Sequence, residues 1–334
     1  MKNLCIIFGG PTPEYNVSLA TATDIIRNVN TAKYQVFPVG ISRSGEWYHY
    51  TGAVENITTD EWLSDDSNLA AITAADLICM NIDVVFPASH GNYCEDGQLQ
   101  AELESVGIPF VGSSSRASAM CMNKSATKAR MDALGIRQAP YIVVGVDAHI
   151  DPSALALLTY PLFVKPSSAG SSIGISKVST SDELAPAITE AQKYDDIVII
   201  EQGIVGREVE VAVLEGNFRN SAVSIVSECG EIIPGSDFYC YDTKYIADTA
   251  SYHIPADISP ECSDKIRQLA MEIFTNLGCR GLARVDFFVT ANEDIIFNEI
   301  NTIPGFTPIS MYPKLLMHGG MTYGEIIETL VEGA

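Results

Sequence analysis

The feature that most constrains the fold is the alternation of short apolar runs with helix-like segments in the first third of the chain. Strand-like runs lie at residues 4–8, 34–41, 84–88 and 108–111, and helix-like segments at 17–28 and 97–106. Apolar strands that alternate with helices predict a parallel, doubly wound, Rossmann-like sheet. Ligands bind to such sheets at the loops after the strands, which here are residues 9–14 and 90–97.

The rest of the chain predicts two further units, an α+β unit and then a strand-rich one. Strand-like runs lie at 141–144, 162–165, 175–178, 197–201, 208–214, 221–227, 282–289 and 295–301, and helix-like segments at 124–134, 182–193, 259–277 and 323–331. At 334 residues the chain is long enough for two or three domains. We expect an α/β and α+β protein with domains at 1–118, 119–206 and 207–334.

Composition narrows the classes of partner. The formal charge of −22 argues against nucleic acid and anionic membranes, since both select a basic surface. The negative net charge still allows the protein to bind an anionic small molecule, if a few lysines, arginines and metal ions gather in one cleft. The eight cysteines show no C-x-x-C spacing, which predicts reduced, mostly buried thiols. The short apolar N-terminus is not a signal peptide and no run reaches transmembrane length, so we expect a cytoplasmic protein.

The strongest chemical signal is a predicted hairpin near the C-terminus. A four-residue loop at 291–294 would pair Asp286 with Glu299 and Arg284 with Asn301. All four side chains would then project from one side of the sheet. Facing carboxylates repel unless a cation lies between them. Oxygen ligands suit Mg²⁺ and an arginine suits phosphate, although a polar sheet face with an incidental acidic pair remains the alternative.

Residues 165–175 predict a phosphate-binding lid. Small residues let the backbone close over phosphates, and hydroxyl and N–H groups can bind the oxygens. The segment begins with the strand-ending Lys165 and includes Ser171, Ser172 and Gly174. It lacks the G-K-[ST] ending of a Walker A loop. An ordinary hairpin loop is the alternative.

Four other features could take part in chemistry, and each also has an ordinary structural explanation. Residues 201–208 could hold a nucleoside or form a solvated turn. Glu14 could bind an ammonium group or stabilise the helix that follows it. His90 lies at a strand end, where a histidine taken alone is more often structural than functional. Residues 239–245 contain Tyr and Lys and form either a loop that closes over a site or a surface loop.

Four motifs resemble those of the D-alanine–D-alanine ligase family of ATP-grasp enzymes and occur in the same order as in that family. The resemblance covers essentially the whole chain. The four motifs are Gly9-Gly10…Glu14…Val17-Ser18, His90-Gly91…Glu95-Asp96-Gly97, the lid Lys165…Gly174, and Asn301-Thr-Ile-Pro304-Gly305-Phe306-Thr307. The resemblance implies a three-domain ATP-grasp fold and ATP-dependent formation of D-alanyl-D-alanine for peptidoglycan precursors. It also implies an acyl phosphate intermediate, two Mg²⁺ or Mn²⁺ ions, and a homodimer.

The resemblance also implies roles for individual residues. The residues implied to bind ATP are Lys124, Lys165, Ser172, Glu201, Gln202, Ile204, Glu208 and Lys244. Those implied to bind the metal are Asp286, Glu299 and Asn301. Those implied to act in catalysis are Glu14, Ser171, Tyr245, Arg284 and Gly305, with Arg284 and Gly305 stabilising the tetrahedral oxyanion. Those implied to contact the amino acids are Val17, His90, Ser310 and Met311.

Specificity for the second amino acid stays open between D-alanine and D-serine. Tyr245 stands where depsipeptide-forming relatives carry histidine, which disfavours D-lactate. Residues 40–49 resemble the vancomycin-resistance D-alanine–D-serine branch, whereas Met311 resembles the D-alanine–D-alanine enzymes. Cys94 and Gln202 depart from the usual glycine and lysine of the family.

Overall fold

A computed structural model describes residues 1–146, 150–233 and 251–334. The strands, in chain order, are β1 (Lys2–Gly9), β2 (Tyr34–Ile41), β3 (Trp47–Tyr50), β4 (Leu69–Ile72), β5 (Val84–Pro87), β6 (Tyr141–Val144), β7 (Leu162–Pro166), β8 (Ser176–Val178), β9 (Val198–Gln202), β10 (Arg207–Phe218), β11 (Ser221–Val226), β12 (Gly230–Ile233), β13 (Ser251–His253), β14 (Leu282–Val289) and β15 (Ile295–Asn301).

The helices are α1 (Tyr15–Asn28), α2 (Val54–Thr58), α3 (Asp76–Cys79), α4 (Gln98–Val106), α5 (Ser115–Met122), α6 (Lys124–Leu134), α7 (Pro152–Leu155), α8 (Ser181–Ala191), α9 (Pro260–Asn276), α10 (Met311–His318) and α11 (Tyr323–Gly333), with 3₁₀ turns at Trp62–Ser64 and Asp66–Asn68.

The first sheet has the order β4-β3-β2-β1-β5, and its centre is parallel, as predicted. Side chains of β1 alternate between two cores, with Leu4 and Ile6 on one face and Cys5 and Ile7 on the other. This double burial explains the continuous apolar run of the strand. The antiparallel edge formed by β3 and β4 was not predicted, because four-residue strands are too short to show a period. The predicted strand at 108–111 forms only a bridge between Val85 and Phe110.

The second sheet, β6-β9-β7-β8, is antiparallel and packs one face against a hydrophobic core. Val164 and Ile200 lie in the core beneath α8. Their neighbours Lys165 and Glu201 alternate to the opposite face. This opposite face therefore presents a lysine and a glutamate from adjacent strands, among apolar residues such as Phe163 and Ile199.

The third sheet has the order β13-β12-β10-β14-β15, with β11 paired to β10. Val285 and Phe287 of β14 pack in a core with Ile266 and Ile273 of α9. Arg284 and Asp286 alternate with these residues and therefore project from the opposite face. This face carries the predicted metal–phosphate patch.

Both ends of the chain contribute to one core. Leu4 and Phe8 of the first sheet lie in the same cluster as Phe306, Tyr312 of α10 and Leu330 of α11. The core places the loops after β1 and β5 next to the segment that follows β15.

Two predictions about the whole chain can be compared with the described residues. Within them, no helix is long and apolar enough to cross a bilayer. The seven described cysteines are free thiols, and all but Cys79 are buried. The domain boundaries at 118 and 206 stay predictions, although each sheet lies within one of the proposed ranges.

Candidate functional site

A row of carboxylates crosses three strands of the third sheet and is bound by one arginine. Glu210 of β10 pairs with Asp286 of β14, which pairs with Glu299 of β15. Arg284 donates to both Asp286 oxygens, from Nε at 2.8 Å and from Nη2 at 2.7 Å. Its Nε lies 3.0 Å from Glu210 Oε2. Burial lowers the pKa of Arg284, but the carboxylates of Asp286 and Glu210 outweigh it and raise that pKa well above its ordinary value.

The predicted pairs Asp286–Glu299 and Arg284–Asn301 are confirmed, but the predicted loop that would produce them is wrong. Val289 pairs with Ile295, so the loop has one residue more than expected, and a β-bulge between Asp286 and Phe287 restores the register. The bulge leaves Asn298 as the extra residue. It allows Ile295, Phe297 and Ile300 all to enter the core while Glu299 faces Asp286.

The cleft beside this row is strongly negative. It is lined by Glu208, Glu210, Asp286 and Glu299 together with Arg284, an excess of three negative charges. Sequence reasoning missed Glu210, although the alternation Glu208-Val-Glu210 in a strand puts both glutamates on one face. Among the described residues, no three His, Cys, Asp or Glu side chains form a metal cage by themselves. A cation here would therefore need further ligands from a bound molecule, as is usual for Mg²⁺ at phosphates.

A second charged cluster lies on the face of the second sheet opposite α8. Glu201 Oε1 accepts from Lys128 Nζ, and Glu201 Oε2 pairs with Lys165 Nζ. All three residues are buried. Burial raises the pKa of Glu201, but the two lysines outweigh it and hold that pKa below its ordinary value. Sequence reasoning missed Lys128, because a lysine inside a helix carries no local sign of burial.

The lid between β7 and β8 reaches the loop that follows β1. Ser171 Oγ donates to Glu14 Oε1 across 157 positions of sequence. Ser171 and Ser172 have φ of 48° and 60°, which turns the chain over Glu14. Lys124 Nζ donates to the Ala169 carbonyl at 2.6 Å and so lies against the lid. Although Glu14 is the N-cap of α1, its side chain makes no capping hydrogen bond in the described structure. Its contact with Ser171 favours a role at the lid.

His90 joins the loop after β5 to the segment after β15. Its Nδ1 lies 3.1 Å from the Ile303 carbonyl and 3.3 Å from Glu95 Oε1, and its Nε2 lies 2.9 Å from Thr21 Oγ1. Burial lowers the pKa of His90, but Glu95, Glu14 and the Ile303 carbonyl together raise that pKa above its ordinary value. The ring is therefore held from both sides, as expected of a structural histidine that lies beside the site.

The Cys94 substitution is accommodated by its neighbours. The positive φ values of this loop fall on Gly91, Tyr93 and Gly97. Cys94 is buried, with Sγ 3.8 Å from the Gly9 carbonyl. A glycine is therefore not required at position 94.

The predicted second-substrate residues lie at the start of α10. Ser310 Oγ accepts from Thr307 N at 3.2 Å. A Cβ on Gly305 would stand 3.0 Å from this Oγ, so the glycine permits the close turn. Met311 is buried, and a Cβ on Gly230 of β12 would stand 3.1 Å from its Sδ. Met311 therefore borders the predicted second-substrate site on one side and packs against Gly230.

The remaining predicted residues are less closely tied to the two clusters. Asn301 Oδ1 accepts a hydrogen bond from Ile303 N at 3.0 Å. Gln202 Oε1 accepts one from Thr159 N at 2.9 Å, so the Gln202 side chain is bound to the backbone of a neighbouring loop. Val17 and Ile204 are half-buried. Lys244 and Tyr245, with the rest of the predicted closing loop, lie outside the described residues.

Comparison with known proteins identifies the class of protein. The family model for the D-ala D-ala ligase N-terminus matches residues 3–113, and the model for its C-terminus matches residues 131–332. The fold is that of the ATP-grasp enzymes. The chain belongs to the D-alanine–D-alanine ligase family.

Individual relatives span nearly the whole chain. The D-alanine–D-alanine ligase of Clostridium novyi is 40% identical over 99% of this chain and 97% of its own length. The D-alanine–D-alanine ligase A of Escherichia coli K12 is 41% identical over 98% and 94%. The crystal structure of the VanG D-Ala:D-Ser ligase from Enterococcus faecalis has a TM-score of 0.87, with 39% identity over 99% and 98%. The Bacillus anthracis D-alanine–D-alanine ligase complexed with ATP has a TM-score of 0.79, with 25% identity over 100% and 97%.

Proposed function

We propose that this protein joins two D-alanine molecules at the expense of ATP, through an acyl phosphate. The observation that carries the proposal is the hydrogen bond from Ser171 to Glu14. It connects a predicted phosphate lid to a predicted ammonium anchor, so the lid closes over both substrates of the first step. Positioning of two reactants is the main demand of phosphoryl transfer.

The nucleotide would lie between the second and third sheets. Lys124 and Lys165, with Lys244, would bind the phosphates, and Ser172 would contact them from the lid. Glu201, Gln202 and Ile204 would line the base, and Glu208 would accept from the ribose. The buried Lys165, the half-buried Lys124, and the serine hydroxyls and backbone N–H groups of the lid support this assignment, because such groups neutralise and orient a polyphosphate.

The carboxylate row would hold Mg²⁺ or Mn²⁺ against the phosphates. Asp286, Glu299 and Asn301 supply the oxygen donors that such ions prefer, and the excess negative charge of the cleft favours a cation. When bound, the ion would neutralise charge on the transferred phosphoryl group. Glu299→Gln is expected to weaken Mn²⁺ binding to the protein–ADP complex at least tenfold, measured by electron paramagnetic resonance. Unchanged Mn²⁺ affinity would contradict this assignment.

The chemistry follows in two steps. A carboxylate oxygen of the first D-alanine attacks the γ-phosphorus of ATP, and the bond to the bridging oxygen breaks to release ADP. The neutral amine of the second D-alanine then attacks the acyl carbon, and phosphate leaves with the former carboxylate oxygen. Arg284 and the Gly305 N–H would stabilise the oxyanion formed between attack and departure. Glu14 would hold the first ammonium group, with Val17 and His90 beside it.

An isotope experiment tests this route directly. D-alanine with ¹⁸O in its carboxylate should transfer one ¹⁸O atom per turnover to the released phosphate. Mass spectrometry of the phosphate measures the transfer. Phosphate without ¹⁸O, formed together with dipeptide, would contradict the acyl phosphate.

D-serine is the second candidate for the amino acid that attacks. The structural similarity to the VanG D-Ala:D-Ser ligase favours it. The apolar side chain of Met311 at the start of α10 favours D-alanine, because it offers a serine hydroxyl only a weak acceptor. Met311→Arg is expected to raise the fraction of D-Ala-D-Ser formed from an equal mixture of D-alanine and D-serine. An unchanged product ratio would exclude Met311 as the selecting residue.

We further propose that the protein acts in the cytoplasm as a homodimer without nucleic acid or membrane partners. The family and the strongly negative charge support this. Light scattering should then give twice the chain mass of 36.0 kDa.

A further inference from the structure

The Lys128–Glu201–Lys165 cluster has a feature that its predicted roles do not explain. Two lysines share one carboxylate, with one lysine on each oxygen. Lys165 is the next-to-last residue of β7, beside the lid, and Lys128 lies within α6. Glu201 belongs to β9, between the two. The second lysine is thus an extra buried charge. Its desolvation costs free energy, so its presence calls for a functional explanation.

The surroundings of Lys128 fix its ammonium group in place. Its Nζ lies 4.9 Å from the ring centroid of Tyr141 and 3.5 Å from Gln138 Oε1. Gln138 Nε2 donates back to the Lys128 carbonyl at 2.7 Å and to Asp132 Oδ1 at 2.5 Å. Only 2% of the Lys128 side chain is exposed. Lys128 is therefore held against Glu201 Oε1, the oxygen that Lys165 does not contact, and is much less able to move than a surface lysine.

Lys165 is placed differently. It stands at the end of its strand, directly before the loop that carries Ser171. As a predicted phosphate ligand, it would have to turn from Glu201 towards ATP. A buried carboxylate that lost its only cation would be left unpaired, which is strongly unfavourable. With Lys128 still in place, Glu201 keeps one positive partner after Lys165 leaves.

We propose that Lys128 is a positioning residue that keeps Glu201 neutralised, so that Lys165 can move from Glu201 to a phosphate of ATP. The inference rests on the proposed function only in that the ligand is ATP. Burial lowers the pKa of Lys128, and Lys165 lowers it further, while Glu201 opposes both. The repulsion between the two lysines agrees with one of them being released when a phosphate arrives.

The test is a double-mutant cycle on ATP affinity, read by titration calorimetry in the presence of Mg²⁺. Lys128→Met keeps most of the length of the side chain and removes its charge, so Lys165 becomes the one cationic partner of Glu201 among the described residues. We expect the Kd for ATP to rise at least tenfold. Glu201→Gln removes the charge that Lys128 balances. The double variant is therefore expected to bind ATP within threefold of Glu201→Gln alone.

Equal effects of Lys128→Met in both backgrounds would overturn the proposal, because a packing role does not depend on the charge of Glu201. If Lys128→Met alone does not fold, the double variant is expected to fold and bind ATP as Glu201→Gln does. Tenfold weaker binding by the double variant would overturn the proposal in that case. Lys193→Met is the matched control, since Lys193 pairs with Glu190 at the surface, and should leave the Kd unchanged.

A kinetic measurement separates this inference from the proposed function. In active enzyme, Lys128→Met should raise the KM for ATP and leave the KM for D-alanine within twofold. Wild type that binds ATP without forming dipeptide would contradict the proposed function, and the affinity cycle would still decide the role of Lys128. Wild type that does not bind ATP would overturn both.

Discussion

At the scale of single residues, Arg284 shows how one side chain serves fold and chemistry together. Asp286 and Glu210 on neighbouring strands would repel each other if the guanidinium did not lie between them. The fork of two hydrogen bonds to Asp286 fixes the plane of the guanidinium. A rigid donor of this kind needs little reorganisation when an oxyanion forms beside it.

The arginine therefore should not be replaceable by lysine. Arg284→Lys keeps the charge but loses the fork, and we expect kcat to fall about 10²- to 10³-fold, as for the loss of an oxyanion donor. Coupled detection of ADP release with D-alanine measures the change. The exposed Arg280→Lys is the control and should keep wild-type kcat. Equal rates for Arg284→Lys and wild type would remove Arg284 from the chemical step.

At the scale of elements, the hairpin of β14 and β15 shows what the sequence could and could not predict. The pairing of Asp286 with Glu299 was predicted from an assumed four-residue loop, and alternation placed both side chains on one face. The bulge was missed because the loop was assumed to have four residues. The signal was present, since Ile295, Phe297 and Ile300 are apolar at spacings of two and then three. A change of spacing within one strand indicates a bulge.

Long-range pairing was harder to predict than local structure. Helix α6 and strand β6 have the predicted bounds, because their patterns are local. Lys128 and Glu210 were missed because each gains its role from a distant partner. Glu201 lies 73 positions from Lys128, and nothing in the neighbouring sequence of either marks the pair.

The lid gives a prediction at this scale. Ser171→Ala removes the hydrogen bond to Glu14 while keeping a small side chain at the same backbone position. A hydrogen bond to a charged group contributes about 1.5–3 kcal/mol, so kcat/KM for D-alanine should fall about 10- to 100-fold. Steady-state kinetics with varied D-alanine measures it. Ser179→Ala, beyond the lid, should behave as wild type. An unaffected kcat/KM in Ser171→Ala would show that the lid closes without this bond.

At the scale of the whole molecule, His90 connects the first sheet to the segment after β15, and the two ends of the chain share a core. The pKa of His90 is raised in the folded protein, so the folded state binds a proton more tightly than the unfolded chain. Its stabilising contribution is complete below the unfolded pKa of about 6.5 and is lost as pH rises through the folded value.

The stability of the wild type relative to His90→Gln should therefore fall as pH rises above about 6.5. Each unit by which the pKa is raised contributes about 1.4 kcal/mol. Thermal unfolding at pH 6 and pH 8.5 measures the difference for both proteins. His253→Gln, at an exposed position, should follow the wild type. A constant difference between wild type and His90→Gln across this range would contradict the proton linkage.

The product formed by the purified protein distinguishes ligation of two amino acids from simple ATP hydrolysis. ATP, Mg²⁺ and D-alanine are supplied with or without equal D-serine, and products are identified by mass while phosphate is measured. We expect one phosphate per dipeptide and D-Ala-D-Ala as the main product, even with D-serine present. Phosphate release without dipeptide would contradict ligation, and D-Ala-D-Ser as the main product would contradict the assignment of the second substrate.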